Sequence, residues 1–283
     1  MGIRESLRKS LNNYFLVESE GDIPSNLKYY AFDWDDNILH MPTKIILMDD
    51  QGNDVGMSTD DFALYRHKIG KEDFEYKGDI IVGYSESPFK FFGMSGDKQF
   101  IIDSLMAKPG PSWDDFVECI NSGSVFAIIT ARGHTPSVLK ESVYNFIVSN
   151  HNGIDSKLLI ESLKKFRKFS GESLRNNKNL INDYLDLCKF YPVTYGEGSA
   201  ADPEEGKVKA LREFVSNVKE QSAKLNTKVF FKNDVKNHFV PQIGFSDDDP
   251  KNIEHIKSFL EKEYDKDNIV KTYLTKGGEK KEV

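Results

Sequence analysis

Lys28-Tyr-Tyr-Ala-Phe-Asp-Trp-Asp-Asp-Asn-Ile38 decides how this chain is read. An apolar run, Tyr29 to Phe32, stops abruptly at three acids, Asp33, Asp35 and Asp36. A run this short, rich in aromatics and bounded by polar residues, predicts a buried strand rather than a helix. Open α/β sheets collect their ligands just beyond the carboxyl ends of the strands. Side chains alternate along an extended chain, so Asp33 and Asp35 share one side and Trp34 points to the other. Two carboxylates this close repel each other unless a cation lies between them. The stretch asks for a metal, a shared proton, or both.

Downstream, residues 44–48 and 54–57 flank the turn-rich Asp49-Asp-Gln-Gly-Asn53. They predict a β-hairpin hanging over the end of the first strand. Ser58-Thr-Asp-Asp61 looks like a helix start, leading as far as Ile69. Residues 72–96 carry Phe74, Tyr76, Tyr84, Phe89, Phe91 and Phe92. They read as irregular strands or an elaborated loop that touches the substrate or supports a lid. A helix is expected over 97–107. A second opens at a capping Ser112, gains acids in its first turn and ends near Gly123.

The continuous apolar run 125–129 then leads into Thr130-Ala-Arg-Gly-His134, a second buried strand with polar groups at its exit. Pro136 suits the first turn of the helix that follows. Residues 155–189 have two stripes at helical spacing, Leu159/Leu163/Phe166 and Ile181/Leu185/Cys188, and read as a helical insertion within the core. Residues 190–195 predict a third strand. Asp202-Pro-Glu-Glu-Gly-Lys207 opens another helix, and 227–232 reads as an extra strand. Residues 241–246 predict a fourth core strand, which runs into Asp247-Asp-Asp-Pro-Lys-Asn252. A helix and a last strand over 269–274 follow. The periodicity of Ile3, Leu7, Leu11 and Phe15 predicts a short helix near the start, and the charged stretch 276–283 reads as a mobile tail.

The 283 residues suffice for one large domain or a core with an insertion. With 39% hydrophobic and 29% charged residues the chain is expected to fold and be soluble. A net charge of -7 disfavours a general nucleic-acid-binding surface. Cys119 and Cys188 stand far apart with no CxxC spacing, which argues for a reduced, cytoplasmic setting and against a thiolate zinc site. No stretch approaches the roughly 18 apolar residues of a membrane helix, so no membrane partner is expected.

Three predicted strands thus end in polar groups: Asp33 and Asp35, Thr130, and Asp247 with Asp248. Lys207 stands at a helix start between the last two. This ordered set resembles the haloacid dehalogenase (HAD) superfamily of phosphohydrolases. The resemblance covers roughly 28–57, 97–149 and 190–275. It implies a Rossmann-like, doubly wound, mostly parallel α/β core over 1–57 and 97–275. Residues 58–96, or the helices at 155–189, would then serve as a cap or flap. It also implies a magnesium-dependent phosphatase acting on a small phosphorylated substrate. In that family pattern Asp33 is the nucleophile and Asp35 the general acid and base. Thr130, Ala131, Arg132 and Lys207 hold the phosphoryl group, with Thr130 and Lys207 also counted as catalytic. The metal falls to Asp33, Asp35 through its backbone carbonyl, and Asp248, with Asp247 in support.

The chemistry is consistent with those residue types. A carboxylate is ionised at neutral pH and attacks without a separate activating base. Magnesium prefers hard oxygen ligands, and a lysine offsets the charge of nucleophile and phosphate together. Two positions depart from the pattern. Asn37 stands where Thr or Val is usual, and Asn252 stands at the distal acid of the fourth motif. Asn37 is expected to close its turn through the backbone, and Asp36 to be a turn residue just outside the site. Two rivals remain open: a polynucleotide 3′-phosphatase acting on nucleic-acid ends, and a non-catalytic phosphate-binding protein with the same fold.

Overall fold

The computed structural model describes residues 26–170, 176–196, 202–233, 240–264, 269–276 and 279–283. The helix expected over 3–16 lies outside them. The predicted first strand is β1 (Asn26–Phe32). It is followed by β2 (Leu39–His40), β3 (Ile45–Asp49) and β4 (Asp54–Met57). Then come α1 (Thr59–Tyr65), β5 (Phe74–Tyr76) and β6 (Asp79–Tyr84). α2 (Asp97–Met106), β7 (Lys108–Pro109) and α3 (Trp113–Ser122) lead to β8 (Phe126–Thr130). Three helices, α4 (Pro136–Ser149), α5 (Ser156–Ser170) and α6 (Asn177–Leu187), connect β8 to β9 (Lys189–Pro192). The long α7 (Pro203–Asn233) leads to β10 (Val240–Asp247). α8 (Pro250–Tyr264), β11 (Val270–Lys276) and β12 (Glu279–Glu282) follow.

The main sheet has the order β12-β11-β10-β1-β8-β9, and every pairing in it is parallel except β11 with β12. The protein is therefore α/β with a mixed, mostly parallel sheet, compatible with the expected Rossmann-like class. From β1 the chain steps outward to β8 and β9, then returns to lay β10 along the other side of β1. Strand order reverses between β1 and β10, which makes the crevice at their carboxyl ends the favoured ligand position. Both faces of the central strands are covered, which is why β8 is apolar without alternation and all five of its residues are buried. Phe32, Phe126 and Ile128 pack on one face with residues from α2 to α6. Ala31, Ala127 and Ile129 pack on the other with Leu211, Phe214 and Val215 of α7 and Ile253 and Ile256 of α8.

A second, antiparallel sheet, β4-β3-β6-β5, rises between β2 and α2. It encloses a small core of its own that includes Ile45, Leu47, Met57, Phe74, Tyr76 and Ile81. The hairpin expected at 44–57 is present. It pairs through β3 with β6, so it belongs with the aromatic stretch after it and not with the core sheet. Phe74 and Tyr76 are buried packing residues there, and Tyr65 stacks on Phe74 at 5.2 Å.

Four other expectations change. The helices at 155–189 join the core: Leu159, Leu163, Leu180, Ile181 and Leu185 share one buried cluster with Phe32, Phe126 and Ile128 of the main sheet, and α5 and α6 lie on the connection from β8 to β9. The run 227–232 continues α7 instead of forming a strand. A helix satisfies its own backbone groups, whereas a strand there would need a partner edge. The stretch 276–283 is not a loose tail, because β12 pairs antiparallel with β11 from Lys276 opposite Glu279. Ser112 precedes α3 but makes no capping bond, and its Oγ has no partner among the described residues.

Candidate active site

Asp33 continues directly from β1, its N–H donating to the Ser246 carbonyl of β10 at 3.0 Å. This last rung draws the ends of the two strands together. Beside it the chain of β10 ends at Asp247, and Lys207 projects from the second turn of α7. Lys207 Nζ donates to Asp33 Oδ1 at 3.0 Å and to Asp247 Oδ2 at 2.6 Å. Asp247 is fully committed: its Oδ1 also accepts from the Asp249 N–H at 3.0 Å and from Asn252 Nδ2 at 2.9 Å. Asp248 is only half-buried, and its carboxylate makes no hydrogen bond or ion pair among the described residues. Carboxylate oxygens of Asp33, Asp247 and Asp248 all lie within 4.8 Å of one another.

The cluster is out of electrostatic balance, with three carboxylates facing one ammonium. Burial pushes the Asp33 carboxyl well above its ordinary value; Lys207 opposes this, while Asp247 and Asp35 add to it. Burial does the same to Asp248, reinforced by Asp247 and Asp33. Burial by itself would lower Lys207, but the attraction of Asp247 and Asp33 wins and its net shift is upward. Upward shifts on acids and on the lysine together describe an excess of negative charge. A divalent cation would correct that excess, and the donor set, all carboxylate oxygen, suits a hard ion. Asp248 is the ligand left free for it, and Asp247 is held in place by protein donors.

The two asparagines that replace expected residues have structural work. Asn37 is buried, and its Nδ2 faces the Asp33 carbonyl at 3.1 Å and the Ser246 carbonyl and Oγ at 3.0 Å each. Its Oδ1 accepts from Thr275 Oγ1 at 3.1 Å, so one amide ties the ends of β1, β10 and β11. Asn252 orients Asp247 directly.

On the other side of Asp33, Asp35 meets Arg132. The Arg132 Nε donates to Asp35 Oδ2 at 2.8 Å and Nη2 donates to Oδ1 at 2.7 Å, a bidentate fork. Arg132 is only 1% exposed, so it is a built-in partner of Asp35 and not the open phosphate contact expected. Its guanidinium lies over the rings of Phe92 and Phe100, 4.6 and 5.1 Å from their centres. Thr130 is buried at the end of β8, its Oγ1 accepting from the Arg132 N–H at 3.3 Å. Ala131 is exposed, and its carbonyl accepts from Thr194 Oγ1 at 2.9 Å. Trp34 turns away from the acids, as alternation requires, and packs at 5.3 Å from Phe100 in the core.

The helix α1, which belongs with the second sheet, is tied to this edge through Asp36 and through Arg66. Asp36 adopts a left-handed backbone, φ 51°, which is uncommon outside glycine. Its Oδ2 accepts from Thr59 Oγ1 of α1 at 2.5 Å, and its Oδ1 lies 2.8 Å from His40 Nδ1. Asp36 thus ties the turn after β1 to α1. Arg66, just after α1, pairs with Asp249 at 2.8 Å and Glu204 at 3.5 Å. Between α1 and the loop after β10 lies a cleft of about 630 Å³, lined among others by Leu64, Arg66, His67 and Asp248.

Comparison with family models, with curated proteins and with solved structures found no match. Among the described residues no helix is long and apolar enough to cross a membrane. Sequence reasoning located Asp33, Asp35, Thr130, Lys207, Asp247 and Asp248 at neighbouring strand and helix ends. It missed Thr59, Arg66 and Asp97, which reach this edge only through tertiary packing and leave no local pattern.

Proposed function

We propose that the chain is a magnesium-dependent phosphomonoester hydrolase of the haloacid dehalogenase kind, with the antiparallel sheet 45–84 as its cap. The observation that carries this is the cluster of Asp33, Asp247 and Asp248 joined by Lys207 at the reversal of strand order. Magnesium would be held by Asp33 and Asp248, with Asp247 beside them, and would supply positive charge against the phosphoryl oxygens. An Asp33 oxygen attacks phosphorus, the bond from phosphorus to the ester oxygen breaks, and Asp35 gives that oxygen a proton. Water then attacks the aspartyl-phosphate, passing its proton to Asp35 and restoring Asp33. Lys207 keeps Asp33 aimed and offsets the charge that accumulates. Thr130, at the end of β8, would offer its hydroxyl to a phosphoryl oxygen.

The test is hydrolysis of an aryl phosphate with magnesium and with EDTA, by the native chain and by Asp33→Asn. Chelation should abolish turnover, and the substitution should lower it by roughly 10³-fold or more. Activity that persists in Asp33→Asn would sink the covalent mechanism. A native chain inactive on every phosphomonoester tried would leave a phosphate-binding role in its place.

A further inference from the structure

A chain of buried contacts continues behind Arg132, away from the metal cluster. Arg132 Nη1 lies 3.3 Å from His134 Nε2, and His134 Nδ1 lies 2.8 Å from Asp97 Oδ1 at the start of α2. A guanidinium has donors only, so the His134 Nε2 facing it must offer a lone pair. The proton of a neutral imidazole then sits on Nδ1 and is donated to Asp97. His134 is fully buried, its ring centre 4.4 Å from that of Phe100. The arginine is thus held at several atoms: two aromatic rings against the guanidinium, Thr43 Oγ1 at 3.2 Å from Nη2, His134 on Nη1 and Asp35 on the fork.

We infer that Asp97 and His134 are positioning residues that set the direction of the Asp35 carboxyl through Arg132. The inference rests on the phosphatase reading above. Each carboxylate oxygen has two lone-pair sites, and the fork takes one on each. The sites that remain point away from Arg132, where a proton is exchanged with the leaving group. If the guanidinium turns, Asp35 turns with it, and misplacing a general acid costs rate without costing substrate binding. His134 in its neutral Nδ1–H form is what allows a cation to rest against it without repulsion.

The experiment compares two substrates in His134→Leu and His134→Gln. A nitrophenyl phosphate has a leaving group that departs with little help, while an alkyl phosphate needs its oxygen protonated. His134→Leu should lower kcat on the alkyl ester at least about tenfold more than on the aryl ester, since general acid catalysis contributes roughly 10²–10⁴-fold. KM and the magnesium concentration for half activation should not move. His134→Gln, whose carbonyl oxygen replaces the Nε2 acceptor, should recover most of the alkyl activity. Equal losses on both esters, or no loss in a folded variant, would overturn the positioning role. A long-range 1H–15N NMR spectrum of the native chain gives a readout independent of activity. It should show His134 protonated on Nδ1 alone; a charged ring or an Nε2–H form at neutral pH would overturn the inference even if the phosphatase reading stands. A native chain that hydrolyses neither ester overturns the phosphatase reading, and the catalytic role of His134 with it.

Discussion

Lys207 in the core and Arg66 in the cap are both cations set between two acids, yet their surroundings differ completely. Lys207 is 2% exposed and reaches Asp33 and Asp247. Arg66 keeps 25% of its side chain exposed against Asp249 and Glu204. A charge near solvent that loses its partner is partly resolvated, so a pair at the edge contributes less than a fully buried one. In the core the orphaned charges have no water to turn to. The core thus cannot give up its cation without another to replace it, while Arg66, at the edge of solvent, has more freedom to let go.

The strongest test of that contrast removes the core cation. Lys207→Met should cost about 3–5 kcal/mol of folding stability, because Asp33 and Asp247 are left buried and unpaired. Urea denaturation in EDTA measures it, and a cost near zero would mean that the acids protonate or hydrate freely. Magnesium should act in the opposite sense on the native chain. At a hundredfold excess over its dissociation constant it should add about 2.7 kcal/mol. Thermal unfolding reads the shift, and Asp248→Asn should remove most of it, since among the described residues Asp248 has no hydrogen-bonding or ion-pair partner. Arg66→Ala should change overall stability by no more than about 1 kcal/mol. Its signature is local: faster amide exchange in β3–β6 with the core sheet unchanged. Uniform exchange across both sheets would show that the latch does not act on the cap.

One further effect is a matter of sign. Burial holds His134 below the ordinary histidine value, with Asp97 opposing and Arg132 assisting. The folded state therefore resists taking a proton that the unfolded chain accepts near pH 6.5. The contribution of His134 to stability should be level above that pH and fall as the solution is acidified through it. His134→Gln should flatten this part of the profile in a pH series of denaturation curves; an unchanged slope would assign it to other groups.

Apolar periodicity made the main sheet legible. Strands β1, β8 and β10 each carry a short apolar run with polar residues at the exit, and these exits hold Asp33 and Asp35, Thr130, and Asp247 and Asp248. Thr135 caps α4 through the Val138 N–H at 3.3 Å, and Gly123 ends α3 in a left-handed turn, both short-range signals. The cap sheet was less legible. Ile80-Ile81-Val82 does not alternate, and β3 finds its partner β6 more than thirty residues on. The apolar stripes of α5 and α6 showed that those helices bury a face, but not that the face meets the main sheet.

The sequence by itself determined which polar groups stand at strand ends and helix starts, because these are local events written in neighbouring residues. It marked Asp33, Asp35, Lys207, Asp247 and Asp248 as one candidate set. Only the tertiary structure decided how those groups are divided. Asp33 went to Lys207 and the acids of β10, Asp35 went to Arg132, and Asp36 became a tie to α1. Three acids within four residues look equivalent along the chain. They become different only when residues nearly a hundred or more positions away close in on two of them, and a cap helix some twenty residues on takes the third. Burial then makes each partner's charge count.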